Sequence, residues 1–249
     1  MQAKVFALVL LVAVSIAVHA QSNPYKETRV PDGSKWQYQI TNTGTIPIVA
    51  FHVALQCPPT NGHKGTTYDH GEDALYTYSH DKPILPNTTR AFTFPESVSA
   101  CPGGVSAVIF ADGINMGDTD AIASLYEGRE GVYLALTAAR KLIDTVAQGA
   151  ANPNEIANEL DAQKQAVSGD LTISVSRRIG EIYIFGGAAH LLRTQDDLFV
   201  PSDLTPQHQP RIEDLMQNAG MTHQQAHATI ISRKFGEWIA ALEGNTQPR

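Results

Sequence analysis

WQYQITNTGTIPIVAFHVAL, residues 36–55, decides the fold of this chain. Apolar and polar residues alternate over Trp36–Thr41, which is the pattern of a strand with one buried face. The turn residues Asn42-Thr43-Gly44 follow, and the alternation then returns on Val49, Phe51, Val53 and Leu55. We expect two antiparallel strands joined by this turn.

Short β-prone runs continue beyond this stretch. Residues 90–94 and 105–111 are each bounded by proline, glycine or asparagine turn residues, and no helical period occurs before them. The sequence therefore predicts an immunoglobulin-like or fibronectin-type antiparallel β-sandwich over residues 21–117. Fewer than the roughly seven strands of such a domain are evident. A smaller or irregular sandwich is the alternative.

The apolar period becomes helical after Asp118. Asn152-Pro153-Asn154-Glu155 combines a capping residue, a proline at the first helical position and an acidic residue, and predicts a helix that ends near Gly169. Further helices are expected over 175–192, over 210–220, and from Thr222 with its capping-box partner Gln225. Residues 118–249 are thus predicted to form an α-helical bundle, which makes the chain a two-part α+β protein.

Glycines mark the ends and contacts of the predicted helices. Gly149 is expected to end the first helix, and Gly128 and Gly131 to bend it. The Gly-Ala patch at 186–189 is expected to let another helix approach the third helix closely. The apolar stripe of that third helix is assigned to Val175, Ile179, Ile182, Ala189 and Leu192.

The run Ala107-Val108-Ile109-Phe110-Ala111-Asp112-Gly113, followed by Gly117-Asp118 and a helix, resembles a feature of uncharacterised exported bacterial proteins. In those proteins an immunoglobulin-like or fibronectin-like β-domain ends in a similar strand and a helical region follows. The resemblance is short, and it implies the architecture without implying an activity.

The first twenty residues have the form of a cleavable signal peptide. Lys4 precedes an apolar run over Val5–Val18, and Val18-His19-Ala20 is a small-x-small cleavage site. The run is shorter than the roughly 18 to 20 residues that span a bilayer, so an uncleaved anchor is the weaker interpretation. We expect cleavage after Ala20 and a secreted or periplasmic, soluble protein with no membrane span in the mature chain.

The charge pattern is that of an ordinary acidic surface. The formal net charge is −7, and the basic residues are scattered apart from the pair Arg177-Arg178. A protein that binds nucleic acid usually carries a basic patch or stripe. We therefore expect no nucleic-acid partner, and an unknown protein or small molecule is left as the binding partner.

The two cysteines, Cys57 and Cys101, are predicted to form a disulfide. Exported proteins are oxidised, so two lone cysteines normally pair. Cys57 continues the inward face that ends in Leu55, and Cys101 lies in the turn before the strand that begins at Val105. Two adjacent or facing strand ends would bring them together. The alternative is a pair of buried free thiols.

His223 and His227 lie at i and i+4 on the predicted fifth helix and are the candidate metal ligands. Their spacing is similar to the His-Glu-x-x-His helix of zinc proteases. Gln224 stands where that family has its general base, and an amide does not take the proton, so proteolysis is not expected. The alternative is that both histidines belong to the capped first turns of an amphipathic helix.

A polar segment between Cys57 and Lys82 is the second candidate site. A long connection between strands that is rich in titratable and aromatic side chains is suited to displaying a binding surface. Carboxylates and imidazoles also suit a divalent cation, although the spacing matches no established metal loop. The candidate ligand-binding residues are His63, Tyr68, Asp69, His70, Glu72 and His80.

The sequence favours a non-enzymatic exported binding or structural protein. It contains no Gly-x-Ser-x-Gly, P-loop, Gly-x-Gly-x-x-Gly or Cys-x-x-Cys motif, and no cofactor is predicted. A catalytic residue set is therefore not assigned. The alternative is a metal-dependent hydrolase, with zinc held by the segment's histidines or by the His223/His227 pair.

Overall fold

The chain is an α+β protein in which two antiparallel sheets are followed by helices. The predicted signal peptide at 1–20 lies outside the residues that the structure describes. The structure is a computed structural model and describes residues 23–33, 35–59, 65–75, 82–194 and 212–248.

Seven strands form the two sheets within the described residues. The first sheet pairs β1 (Tyr25–Asp32), β2 (Lys35–Asn42) and β5 (Thr89–Phe94) in that order. The second sheet pairs β4 (Thr66–Asp73), β3 (Ile48–Cys57), β6 (Gly103–Phe110) and β7 (Asn115–Gly117), also in that order.

The strands β2 and β3 form as predicted, but the expected pairing between them is wrong. They belong to different sheets, so the turn after β2 carries the chain across from one sheet to the other. The buried side chain of Asn42 holds this crossing. It accepts the N–H of Gly44 at 2.9 Å and donates to the carbonyls of Ile46 and Ile84 at 2.8 and 2.9 Å. The amide thus links the turn after β2 to the segment around Ile84 through buried hydrogen bonds.

The two sheets share one apolar core between their facing sides. The alternation predicted from residues 36–55 supplies both sides of this core. The following residues, from both sheets, are each at most 2 % exposed: Tyr38, Ile40, Phe51, Val53 and Leu55.

The predicted disulfide between Cys57 and Cys101 is present, with Cα atoms 4.6 Å apart. Cys57 ends β3, and Cys101 precedes β6, the strand that pairs with β3. Arg29 of β1 reinforces this corner by donating to the carbonyls of Cys101 and Gly103 at 2.7 and 2.6 Å. The neighbouring strand ends therefore meet as the sequence indicated.

Five helices follow the sheets in the described residues. Asp118 caps the first helix by accepting the N–H groups of Asp120 and Ala121 at 3.0 Å. The helical starts predicted from Asn152-Pro153 and from the Thr222/Gln225 capping box are confirmed. The helices are α1 (Thr119–Ala147), α2 (Pro153–Gly169), α3 (Val175–Thr194), α4 (Ile212–Ala219) and α5 (His223–Leu242).

The glycines of α1 serve a close contact with α3. A Cβ atom on Gly131 would lie 2.1 Å from the carbonyl oxygen of Arg177, and one on Gly180 would lie 2.5 Å from that of Gly128. Only residues without a side chain let two backbones approach this closely. A Cβ atom on Gly186 would instead meet the flexible Lys164 side chain, at 3.4 Å and beyond. Gly180 is therefore a point of close backbone approach between α3 and α1, and a close approach at 186–189 stays a prediction.

A buried ion pair joins the sheets to the helices. Asp73, the last residue of β4, accepts from Nε of Arg129 at 2.6 Å and from Nη2 at 3.4 Å. Both side chains are at most 2 % exposed. Beside them, Tyr126 of α1 packs on Ala50 and Ile109 of the second sheet. The helix α1 thus packs on part of the outer face of this sheet.

We expect Asp73→Asn to lower the free energy of unfolding by about 3–5 kcal/mol, because it leaves the Arg129 charge buried without its counter-ion. The double variant Asp73→Leu/Arg129→Met should lose less, since no buried charge remains. Denaturant titration measures both. The matched control is Arg193→Ala, which removes the exposed Arg193–Asp161 pair and should cost at most about 1 kcal/mol. Equal losses in Asp73→Asn and in the control would contradict the structural importance of the buried pair.

Candidate functional site

The polar segment predicted as one long connection contains a strand. Tyr68, Asp69, His70 and Glu72 all lie in β4, an edge strand of the second sheet. The other two candidate residues, His63 and His80, lie outside the residues that the structure describes. Alternation along β4 separates the predicted residues, because successive side chains point to opposite faces of a sheet.

Tyr68, His70 and Glu72 face the space between the two sheets, where their side chains contact side chains of β5. The His70 ring stacks on Phe92 at 3.8 Å between centroids, and Glu72 lies 3.2 Å from Nη1 of Arg90. His70 Nε2 also lies 3.1 Å from Oε1 of Glu72. The Tyr68 ring lies 6.4 Å from that of Phe94. These side chains close one side of the core, and ligand binding by them stays a prediction.

Asp69 points to the other face, where the structure places it near His52 and Ser106. Nδ1 of His52 lies 2.7 Å from Oγ of Ser106, and Nε2 lies 3.8 Å from Oδ1 of Asp69. The register between β3 and β6 shifts between His52 and Val53, and Ser106 is the extra residue at this bulge. A bulge re-aims a side chain, and here it sets the hydroxyl beside the imidazole.

Ser106, His52 and Asp69 have the residue types of a nucleophile, a base and a carboxylate. Their distances are instead those of polar contacts that link neighbouring strands. The 3.8 Å between His52 and Asp69 exceeds a hydrogen bond. The Ser106 hydroxyl is also 3.2 Å from the carbonyl oxygen of His52, within hydrogen-bonding range. The grouping could not be predicted from the sequence, because three strands contribute to it and the bulge leaves no sequence pattern.

The environment of His52 favours the neutral imidazole. Burial lowers the pKa of His52, the carboxylate of Asp69 raises it, and His70 lowers it further; the net shift is downward.

His223 and His227 open α5 as predicted, and their ring centroids lie 6.4 Å apart. His227 is buried, and the capping box of Thr222 and Gln225 fixes the turn that carries His223. Within the described ranges, no group of three or more histidine, cysteine or acidic side chains is placed to hold a metal ion. Zinc binding by this pair stays a prediction and has no third ligand among these residues.

An exposed apolar row on the helical half was not anticipated. Val175 and Ile179, assigned above to the buried stripe of the third helix, lie instead on its exposed side. The buried face of α3 is formed by Ile184, Phe185, Ala188, Ala189, Leu191 and Leu192. The exposed row, named here the α3 ridge, consists of Leu171, Val175, Ile179 and Tyr183, which are 83, 60, 60 and 43 % exposed.

Among the helices that the structure describes, none is both long enough and apolar enough to cross a membrane. No family model, curated protein or solved structure matches the chain.

We expect the free energy of unfolding to fall as the pH drops below about 6.5, the ordinary pKa of histidine. The pKa of folded His52 is lowered, so the unfolded chain binds more protons in this range and stability is lost with acidification. His52→Gln should reduce this dependence. Denaturant titrations between pH 8 and pH 5 measure it, and identical slopes for the two proteins would contradict the assignment.

Proposed function

We propose that the chain is a non-enzymatic, extracytoplasmic binding protein that docks a protein partner on the α3 ridge. In this proposal the sheets form a fibronectin-like sandwich that acts as a rigid frame, and the helices form a bundle that presents the ridge. The domains divide at 117/118, and the signal peptide is removed after Ala20.

The sandwich proposal is supported by the strand order. If the seven described strands are lettered A, B, C, C′, E, F and G, the sheets are A-B-E and C′-C-F-G. Here B pairs with E across one sheet and C with F across the other, as in fibronectin-type sandwiches. The shared core between the sheets supports the same arrangement. The disulfide differs from the inter-sheet bridge of antibody domains, because it joins neighbouring strands of one sheet.

The bundle proposal is supported by one continuous apolar core among the helices. Ile143 of α1, Leu160 of α2 and Ile184 of α3 are fully buried in it, together with Phe235 of α5. The helix α1 contacts both α3 and α5. Export is supported by the Cys57–Cys101 bridge, since disulfides persist in oxidising compartments.

The observation that carries the binding proposal is the alignment of the α3 ridge. Single exposed apolar residues are normal on a protein surface, whereas a contiguous exposed patch marks an interaction site. Val175, Ile179 and Tyr183 follow one another at intervals of four on α3, which brings them onto one line along the helix. Leu171 lies in the segment that precedes α3. Val175 to Tyr183 spans about 12 Å along the helix axis.

The spacing of the ridge points to a helix as the partner element. Rows of side chains at i±4 on one helix pack into the grooves between the same rows on another. An amphipathic helix with apolar residues at i, i+4 and i+8 would therefore bury Val175, Ile179 and Tyr183 together.

Photo-crosslinking from position 179 tests the proposal. A photoreactive phenylalanine analogue replaces Ile179 in the full chain produced in its native host, and the same analogue replaces Leu85, which is exposed to a similar degree (53 % against 60 %) on the sheet half. We expect one discrete protein adduct from position 179 and none at that mass from position 85. Matching products from both positions, or no adduct from position 179, would overturn the proposal.

The variant Ile179→Glu tests how much the ridge contributes to the affinity for the partner. Because the side chain is exposed, the free energy of unfolding should change by no more than about 0.5 kcal/mol. Affinity for the crosslinked partner should fall at least about tenfold, as expected when a charge enters an apolar contact. An unchanged affinity would contradict docking on the ridge.

Stoichiometric zinc that survives dialysis and is lost in His223→Ala would contradict the non-enzymatic assignment.

A further inference from the structure

A cleft of about 400 Å³ opens at one end of the two sheets. It lies between the start of β1, the β2–β3 crossing and the β6–β7 hairpin. The residues that line it are Pro24, Gly44, Thr45, Ile46, Phe110, Ile114 and Met116. It is separate from the α3 ridge, which belongs to the helical half.

Two of its walls are fixed to each other by backbone hydrogen bonds. The N–H groups of Thr43 and Gly44 both donate to the carbonyl oxygen of Pro24 at 2.9 Å. The buried amide of Asn42 holds Gly44 and Ile46 from the inside at 2.9 and 2.8 Å. The wall formed by the β2–β3 crossing is therefore held in one conformation.

The third wall is the β6–β7 hairpin, and it is fixed in the same way. Phe110 and Ile114 are joined by a backbone hydrogen bond of 2.9 Å, and the N–H of Ile114 donates to the carboxylate of Asp112 at 3.0 Å. The N–H of Ala111 donates to the carbonyl oxygen of Pro47 at 2.9 Å, which ties the hairpin to the crossing. All three walls are thus formed before any ligand arrives.

The chemistry of the walls selects an uncharged ligand. None of the described residues that line the cleft is charged, and Thr45 supplies the one side-chain hydroxyl. Moving a charge into such a site would be costly without a counter-ion. Binding sites for small molecules are preformed clefts of roughly 300 to 1,000 Å³ with mainly apolar walls and a few polar groups.

We propose that this cleft binds a neutral, predominantly hydrocarbon small molecule with at most one polar group, which faces Thr45. Ile46, Phe110 and Met116 contact its apolar body, and Ile114, 58 % exposed, lies at the mouth. The aliphatic and thioether side chains adapt to the ligand's outline, as methionine does in apolar sites.

The test uses N-phenyl-1-naphthylamine, a neutral apolar dye whose fluorescence rises when it leaves water, titrated into the full chain. We expect saturable binding with one site per chain, displaced by 1-decanol. Ile114→Glu should weaken binding at least about tenfold, because it places a charge at the mouth of an apolar site. Methyl NMR gives a second readout, in which the Met116 resonance shifts on addition of the dye.

Two matched variants separate the cleft from other apolar surface. Leu85→Glu makes the same substitution at a residue of similar exposure, 53 %, outside the cleft, and should leave dye affinity unchanged. Ile179→Glu, on the α3 ridge, should also leave it unchanged, so failure of the docking proposal and failure of this one are distinguishable. Absence of saturable binding, or equal weakening in Leu85→Glu and Ile114→Glu, overturns the proposal.

Discussion

The buried ion pair between Asp73 and Arg129 holds the sheets and the helices in one arrangement. Burial raises the pKa of the Asp73 carboxyl, and the guanidinium of Arg129 and the N–H of Leu75 oppose that rise. Nη1 of Arg129 also donates to the carbonyl of Asn245 at 3.2 Å, so one side chain reaches both the sheet edge and the segment that follows α5. A buried charge is tolerated only when such partners surround it. The relative position of the two halves is therefore strongly constrained.

The covalent connection between the halves adds to this constraint. Asp118 follows β7 directly, its N–H donates to the carbonyl of Ser106 at 2.7 Å, and its side chain caps α1. The helix therefore begins while the chain is still paired to the sheet. With its first half packed on the sheet and its second half in the helical core, α1 belongs to both parts of the protein.

Local patterns predicted the elements that carry their own determinants. The helices begin where capping residues stand, as at Asn152 and Thr222, because a cap acts within one turn of the chain. The strands β2 and β3 were predicted because each has one face buried. The edge strands β1 and β4 were missed, since the charged sequences YKETRVPD and TTYDHGED lack that alternation. Polar residues on edge strands discourage pairing with another chain and also hide the strand from pattern analysis.

The same local patterns could not predict which strands pair with each other. Nothing in the turn after β2 distinguishes a hairpin from a crossing between sheets, and the buried hydrogen bond of Asn42 to Ile84 that favours the crossing comes from residues distant in sequence. The Ser106 bulge and the stacking of His70 on Phe92 likewise exist only once the strands have paired. Tyr68, Asp69, His70 and Glu72 were therefore assigned to a connection, whereas they lie in β4.

The helix α3 shows why apolar periodicity does not by itself locate a core. Apolar side chains occur on both sides of α3, so a stripe drawn through Val175 and Ile179 appeared as good a candidate as the true buried face. Among the described residues, α1 and α2 pack against α3, while Val175, Ile179 and Tyr183 stay 60, 60 and 43 % exposed. In the docking proposal, a bound partner would cover this exposed apolar face.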